Sequence, residues 1–300
     1  MEYNIPLFPK SVAGLSLADG STWGITAGSE KALSSVSRLA EVMQLRPHLA
    51  PVCRLLVVTV EDDLSSRPVD AKTGPQVLVP WTLLPSEDER AFTYVVSQSQ
   101  SNDFLFAQLV QLALVIARQV QSKGGILLHG ALIERDSWGV ILAGPGRVGK
   151  TTASRRLPSP WRSLSDDAAL VVRGGDGAYW AHPWPTWSSF MSDGPGGTWD
   201  VEHAVPLKAI FFLKQAQQDR VEPVATGQSV CLLVELAEHT SWSMSHTQGK
   251  DVTRTLRLQR FENICTLVKM LPCYYLHLSL EGFFWEEIER VINVQNKGTL

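Results

Sequence analysis

The pattern Gly144-Pro-Gly-Arg-Val-Gly-Lys-Thr151 constrains this chain more than any other feature of its sequence. It fits G-x-x-x-x-G-K-[ST], in which the glycines let the backbone curl so that its N–H groups point at phosphate oxygens. The lysine then supplies a positive charge for the outer phosphates, and the hydroxyl that follows can bind Mg²⁺ at the N-terminus of the next helix. A chain with this pattern is expected to fold locally as a strand, a loop and a helix, in that order.

The residues on both sides of the pattern meet this expectation. Residues 138–143 are a short apolar run typical of a strand, and residues 150–157 suit a helix that Pro158 and Pro160 end. The alternative is an ordinary glycine-rich turn, which would not require that order of elements. The predicted nucleotide-binding residues are Gly144, Pro145, Gly146, Arg147, Val148, Gly149, Lys150, Thr151 and Thr152.

Two neighbouring carboxylates, Asp166 and Asp167, follow the pattern after only enough chain for one short helix. We therefore expect them on a strand next to the loop strand, at the end where the phosphates would bind. Neighbouring residues of an extended strand point to opposite faces, so the two should have different tasks. One can bind Mg²⁺ opposite Thr151, and the other can accept the proton of an acceptor hydroxyl during phosphoryl transfer. The alternative is a solvated turn before a strand.

His129 lies in the first of two predicted strands, residues 126–134 and 138–143, which a short polar turn joins into a hairpin. Antiparallel pairing places His129 near the end of the second strand, where the glycine loop begins. The imidazole can then hydrogen-bond an aspartate or a phosphate oxygen, or it can be a core histidine bonded to backbone. The sequence leaves both interpretations open.

The composition is that of a globular protein and argues against several functional classes. The chain has 300 residues, 44% hydrophobic and 19% charged, which is ample material for a core. A net charge of −3, with no run of basic residues among aromatics, argues against a nucleic-acid partner. The most apolar window, residues 104–117, is too short to span a membrane, and the N-terminus lacks the features of a signal peptide. The four cysteines have no metal-binding spacing, so we expect free thiols and a cytoplasmic protein.

The predicted elements divide the chain into two regions and indicate an α/β protein. Residues 1–100 form an α+β N-terminal region without a catalytic signature. Its strand candidates are residues 12–17, 21–26, 54–60, 76–84 and 91–97, and its helix is 29–43. Residues 101–300 form the nucleotide-binding region. Besides the hairpin and loop, this region has predicted helices at 102–121, 229–237, 251–270 and 283–294, and predicted strands at 168–173, 178–182, 209–214 and 274–280.

A segment rich in tryptophan and proline separates two of these strands and is predicted to be a loop. Its aromatic rings either pack as core under a lid or form a groove for an extended acceptor peptide. The tryptophans are Trp180, Trp184, Trp187 and Trp199.

Three further polar residues are candidates for the site, with ordinary surface positions as the alternative. They are Glu202, His203 and Arg220.

Three short segments together resemble a known family. His129-Gly130-Ala131, the loop ending in Gly149-Lys150-Thr151, and Ser165-Asp166-Asp167 are similar to the catalytic domain of HPr kinase/phosphorylase and its relatives, which share a core with phosphoenolpyruvate carboxykinase. That similarity covers residues 125–175. Residues 182–187 and 204–213 further resemble the SynChlorMet cassette protein ScmC, a group associated with peptide-modification cassettes that contain radical SAM enzymes and a small PqqD-like protein.

The resemblance implies a fold, a reaction and roles for individual residues. The fold would be the mixed-sheet P-loop domain of HPr kinase, here preceded by an α+β region. The reaction would be ATP- and Mg²⁺-dependent phosphorylation of a Ser or Thr hydroxyl on a peptide or protein. By position, Asp166 matches the catalytic acid/base, Asp167 and Thr151 the metal ligands, Lys150 the phosphate-binding lysine, and His129 the histidine that assists the first aspartate.

The chain departs from true HPr kinases in one respect. The glycine-rich signature expected after the acid pair is replaced by the Trp/Pro segment, which argues against HPr as the substrate and against reverse phosphorolysis. HPr kinases form hexamers, so the resemblance is compatible with a homo-oligomer, but the sequence shows no equivalent interface.

Three hypotheses about function follow. The first is a Ser/Thr kinase acting on a peptide or protein. The second is a small-molecule kinase of the same fold, which the apolar segment after Asp167 disfavours. The third is a non-catalytic module that binds nucleotide and reports it to a partner enzyme. The intact Lys150 and Thr151 and the acid pair argue against the third hypothesis.

Overall fold

The computed structural model describes residues 13–47, 53–61, 81–85, 91–97, 102–185, 197–245 and 250–297. In these ranges the chain forms two mixed β-sheets with helices packed against them. The predicted α/β class is therefore confirmed.

The first sheet is built from the N-terminal part of the chain. Its strands are β1 (Ala13–Ser16), β2 (Thr22–Ala27), β3 (Arg46–Pro47), β4 (Arg54–Glu61), β5 (Trp81–Pro85) and β6 (Ala91–Ser97), in the order β3-β1-β2-β4-β6-β5. Strands β2, β4 and β6 are parallel. A 3₁₀ turn at Glu30–Ala32 leads into α1 (Leu33–Val42), close to the predicted helix. Of the strand predicted at 76–84, residues 76–80 lie outside the described ranges.

The second sheet carries the glycine loop. Its strands are β7 (Ile126–Arg135), β8 (Trp138–Ala143), β9 (Arg162–Ser165), β10 (Ala168–Arg173), β11 (Tyr179–Pro183), β12 (Val205–Gln215), β13 (Arg220–Pro223) and β14 (Cys273–Leu278). The order is β11-β10-β7-β8-β12-β14-β13, with β9 also paired to β7. Strands β8, β12 and β14 are parallel. The remaining helices are α2 (Asn102–Gln121), α3 (Lys150–Arg155), α4 (Thr226–Ser245), α5 (Lys250–Met270) and α6 (Phe284–Lys297).

The β7–β8 hairpin forms as the sequence predicts. Asp136 and Ser137 both have positive φ, 49° and 65°. This is the geometry of a two-residue turn whose twist matches that of the flanking strands. The register sets Gly130 opposite Ala143, so the residues next to His129 lie beside the start of the glycine loop.

Helices cover both faces of the second sheet. On one face, Leu236 of α4 and Ile264 of α5 are buried against the strands, and on the other face Ala153 of α3 and Ile288 of α6 are buried. Parallel strands are usually apolar on both faces because both are covered in this way. Helix α3 therefore starts at the glycine loop and is held in position by packing against the sheet.

Three tryptophans of the Trp/Pro segment pack as core in the part of it that the structure describes. Trp184 and Trp199 are buried in the same cluster as the first sheet and α2, and Trp180 packs against that cluster half-buried. The core-packing interpretation is thus confirmed for these three, whereas Trp187 lies outside the described residues. This cluster joins α2 to the first sheet, and the division between residues 100 and 101 remains a prediction.

Several elements differ from their predicted bounds. Strand β12 begins at Val205 rather than Ala209, because Val205 and Pro206 pair with β11. The edge strand β13 was not predicted, since its sequence Arg-Val-Glu-Pro is polar and pairs only with β14 in the described part of the chain. Helix α4 is longer than predicted.

Two expectations about bulk properties can be compared with the structure. All four cysteines are free thiols, as predicted. None of the helices in the described ranges has both the length and the apolar character needed to cross a membrane.

Candidate functional site

The loop between β8 and α3 has the backbone conformation that its glycines permit. Gly149, which caps α3, has φ 115°, and Arg147 has φ 64°. Side chains with a Cβ rarely adopt the first of these values. A Cβ on Gly144 would lie 2.9 Å from Cγ1 of Val148. The tight curl therefore requires glycine at both ends of the loop.

Lys150 is buried at the mouth of this loop, with 5% of its surface exposed. Its Nζ donates to the carbonyl oxygens of Gly144 at 2.9 Å and Pro145 at 3.1 Å, and it lies 2.9 Å from Nε2 of His129. Burial lowers the pKa of Lys150, while the charges of Asp167 and Asp166 act in the opposite direction. The ammonium group is thus held against the loop that is predicted to receive phosphate.

His129 connects this lysine to the acid pair. Its Nε2 lies 3.4 Å from Oδ1 of Asp167, and the same oxygen is 3.8 Å from Nζ of Lys150. The role of Nε2 depends on the tautomer: without a proton it accepts from the Lys150 ammonium, and with a proton it donates toward Oδ1 of Asp167. Of the two interpretations, the structure supports a histidine bonded to the side chains of the site.

The acid pair does not lie on the strand next to β8, and this prediction is wrong. Strands β9 and β10 both pair with β7, which lies between them and β8. After α3 the chain therefore pairs with β7, the other strand of the hairpin, and not with β8. The carboxylate of Asp167 still reaches Lys150 because β7 is the strand that also carries His129.

The two aspartates are not part of an extended strand either. They form a bend between β9, which ends opposite Leu132 at Ser165, and β10, which starts opposite His129 at Ala168. The alternation of faces along a strand therefore does not decide where they point. Instead, the N–H of Gly130 donates to the carbonyl of Asp167 at 3.0 Å and ties the bend to β7. Both aspartates are half-buried, which argues against a solvated turn.

The side-chain oxygens near the loop suit a metal ion such as Mg²⁺, which takes few of its ligands from the protein. Among the described residues, no group of three or more His, Cys, Asp or Glu side chains could hold a metal. Magnesium usually takes one or two protein oxygens and completes its octahedron with phosphate and water. Thr151, half-buried in the first turn of α3, and Asp167 are side chains of that kind, whereas Thr152 is exposed.

Gln215 is a supporting residue that the sequence did not single out. Its Nε2 donates to the carbonyl oxygen of Arg147 at 3.3 Å, from the end of the parallel neighbour β12. The carboxyl ends of parallel strands meet at one edge of a sheet. The polar residue after the predicted strand 209–214 could have been found by that rule.

The three further candidates each have a partner away from the loop. Oε1 of Glu202 accepts from the Ser16 N–H at 2.7 Å. His203 is bonded to Glu134 at 3.0 Å, and Arg220 pairs with Glu222 at 2.6 Å. The contacts support the surface or structural interpretation for these residues.

The candidate site lies within a match to a known protein family. The family model of the SynChlorMet cassette protein ScmC matches residues 93–293, which include the glycine loop, the acid pair and the tryptophan-rich segment. No curated protein gives a match. Because the matched residues make up more than half of the chain, the chain belongs to the SynChlorMet cassette protein ScmC family.

Proposed function

We propose that this protein is an ATP- and Mg²⁺-dependent kinase that phosphorylates a Ser or Thr hydroxyl on a peptide or protein. The observation that carries the proposal is the meeting of Lys150 Nζ with His129 at 2.9 Å and Asp167 at 3.8 Å at the mouth of the glycine loop. A cationic phosphate ligand and a carboxylate in one place are what phosphoryl transfer needs.

Each residue of the site has a role in this proposal. The N–H groups of the loop bind phosphate oxygens, and Lys150 moves from its carbonyl partners to the outer phosphates. Asp167 and Thr151 would hold Mg²⁺. Magnesium, when bound, neutralises charge on the phosphate oxygens. Once the lysine has left, His129 with its proton on Nε2 donates to Asp167 and keeps its carboxylate oriented.

Asp166 is the proposed base because it lies beside the metal-binding aspartate in the same bend and its charge is close enough to act on Lys150. The hydroxyl oxygen of the acceptor forms a bond to the γ-phosphorus, and the bond from that phosphorus to the β–γ bridging oxygen breaks. The hydroxyl proton passes to Asp166, and ADP leaves. Positioning and charge neutralisation, rather than base strength, account for most of the rate in such a reaction.

The finer fold assignment is also part of the proposal. The combination of hairpin, glycine loop and acid bend is consistent with the mixed-sheet P-loop domain of HPr kinase and phosphoenolpyruvate carboxykinase. The family is named for a cassette, and the resemblance to proteins of peptide-modification cassettes supports a peptide acceptor. We place the reaction in the cytoplasm, which the free thiols favour.

One experiment separates this proposal from a small-molecule kinase and from a non-catalytic nucleotide-binding module. Purified protein is incubated with γ-labelled ATP, Mg²⁺ and Ser/Thr-containing peptides, with Lys150→Ala and Asp166→Asn as controls. The proposal predicts label on peptide for wild type and loss of transfer in both variants. Label that reaches only small molecules, or nucleotide binding without turnover, would contradict it.

A further inference from the structure

We propose that residues 279–285, the turn after β14 together with the first two residues of α6, form a docking surface for an acceptor peptide that carries apolar and basic side chains. We call this segment the docking loop. The identification of the occupant as the acceptor rests on the proposed function. The surface itself rests on four observations of exposure, rigidity, position and charge.

The docking loop exposes large apolar side chains. Leu280 is 84% exposed and Phe283 is 62% exposed. The Phe283 ring packs edge-on against Trp285, with ring centroids 5.4 Å apart, so these two rings form one apolar surface, and Leu280 lies three residues before Phe283 in the same turn. Exposed apolar surface of this kind, rimmed by polar residues, marks interaction sites when it is contiguous.

The docking loop is held rigidly in spite of that exposure. The N–H of Ser279 donates to Asp219 at 2.5 Å, and the N–H of Gly282 donates to the Ser279 hydroxyl at 2.8 Å. The carboxylate of Asp219 occupies the space where a side chain at Gly282 would lie. A partner would therefore meet a preformed surface and would lose little free energy in ordering it.

The position of the docking loop favours a substrate over a second copy of the chain. Arg156, the residue that directly follows α3, donates to the carbonyl oxygens of Ser279 and Gly282. Leu278, just before the loop, pairs with Gln215, the residue that supports the glycine loop. The docking loop thus lies at the same edge of the sheet as the nucleotide site and is bonded to its helix.

The charge of the surface selects the chemistry of the peptide. Glu281 and Glu286 are exposed beside the apolar patch. Two cations near this segment are engaged, since Arg290 pairs with Glu287 at 2.6 Å and Arg156 is used on backbone carbonyls. Carboxylates around apolar groups are complementary to a peptide with basic and apolar residues.

The test uses three short fluorescein-labelled peptides that share leucines, one tryptophan and one serine and differ only in having Lys, Gln or Glu at the polar positions. Binding is followed by fluorescence anisotropy. Wild type should bind the Lys peptide most tightly. The double variant Leu280→Ser/Phe283→Ser should bind it about tenfold or more weakly, and Glu281→Lys/Glu286→Lys should prefer the Glu peptide.

The matched control is Leu258→Ser/Phe261→Ser on α5, where the two side chains are 55% and 48% exposed. This variant should bind like wild type. Equal loss in the control, no binding of the Lys peptide to wild type, or a wild-type dimer that Leu280→Ser/Phe283→Ser dissociates would each overturn the proposal.

Nucleotide binding and phosphate transfer are measured on the same proteins. Peptide binding through the docking loop without transfer would support the docking surface and contradict the kinase proposal. Transfer whose KM for peptide is unchanged by Leu280→Ser/Phe283→Ser would support the kinase proposal and contradict the docking surface.

Discussion

A cluster of one cation, one carboxylate and one histidine lies at each end of β7. The two clusters differ in which of the charged groups is buried. Near the start of the strand the cation is buried, because Lys150 is 5% exposed while the side chain of Asp167 is 30% exposed. Near its end the carboxylate is buried, because the side chain of Glu134 is 6% exposed while that of Arg162 is 60% exposed. A histidine contacts the carboxylate in each cluster.

The distances differ as well. Glu134 is bonded to Arg162 at 2.6 Å and to His203 at 3.0 Å. Burial acts to raise the pKa of Glu134, but Arg162 and His203 together outweigh it, and the pKa lies below its ordinary value. Lys150 has only a 3.8 Å approach to Asp167, and burial lowers its pKa. The buried carboxylate of Glu134 is therefore already paired, and its cluster is structural. The Lys150 cluster retains a buried positive charge that a phosphate can pair with.

The largest expected effect is on catalysis and separates the two clusters directly. Asp166→Asn should reduce phosphate transfer about 10²- to 10⁴-fold, because the hydroxyl proton loses its acceptor. Glu134→Gln makes the same chemical change at the other end of β7 and should leave transfer near wild type. Initial rates with labelled ATP measure both. Equal losses would remove the distinction between the clusters.

The second prediction concerns ligand-induced stability. Saturating MgATP, at about a hundred times its Kd, should stabilise wild type by about 2.7 kcal/mol and raise its Tm by several degrees. Lys150→Met should abolish most of that shift, and it should also lower the starting Tm because the carbonyls of Gly144 and Pro145 lose their donor. Arg162→Met should lower the starting Tm as well but leave the shift intact. Thermal scans with and without MgATP decide between these patterns.

A third histidine sharpens the comparison because backbone groups bond both of its nitrogens. Buried His182 accepts from the N–H of Ala18 at 3.1 Å, and its Nδ1 lies 2.7 Å from the carbonyl of Val201. Burial is the main cause that lowers its pKa to about 4. The unfolded chain binds this proton below its ordinary pKa and the folded chain does not. The contribution of neutral His182 to the free energy of unfolding is therefore fully present above pH 6.5 and is lost as pH falls through 4.

From pH 7 to pH 5 this histidine should account for a loss of about 2 kcal/mol in the free energy of unfolding. Urea unfolding at the two pH values measures it. His182→Gln should remove most of this pH dependence, and His203→Gln should retain it. An unchanged pH dependence in His182→Gln would show that the proton binds elsewhere.

The smallest expected effect is the structural cost of the second cluster. Glu134→Gln should lower the free energy of unfolding by about 1 kcal/mol, because charge-assisted bonds to Arg162 and His203 become neutral ones and Arg162 is largely in water. Denaturant unfolding at neutral pH measures the change. A loss several times larger would mean that the cluster is isolated from solvent more fully than its exposure indicates.

The sequence predicted those parts of the fold that depend on neighbouring residues. The β7–β8 hairpin, the glycine loop and α2 each have their signal within a few residues, and each was found close to its observed bounds. The environment of His129 also followed from local geometry, because hairpin register alone brings it to the loop.

The missed features depend on residues far apart in the chain. No local signal places β9 and β10 on β7 rather than on β8, or bends the chain at Asp166. The bond from Gln215 to the glycine loop and the packing of Trp184 and Trp199 against the first sheet likewise require the tertiary arrangement. Alternation of faces failed at the acid pair because it assumes an unbroken strand.

A crystal structure of the protein with Mg²⁺ and a non-hydrolysable ATP analogue would show the proposed site with its ligands. We expect Nζ of Lys150 to leave the carbonyls of Gly144 and Pro145 and to bind the outer phosphates, with Thr151 and Asp167 holding the metal and the carboxylate of Asp166 facing the γ-phosphate. An analogue bound elsewhere, or one bound with Lys150 still on its carbonyl partners and both aspartates turned away, would contradict this expectation.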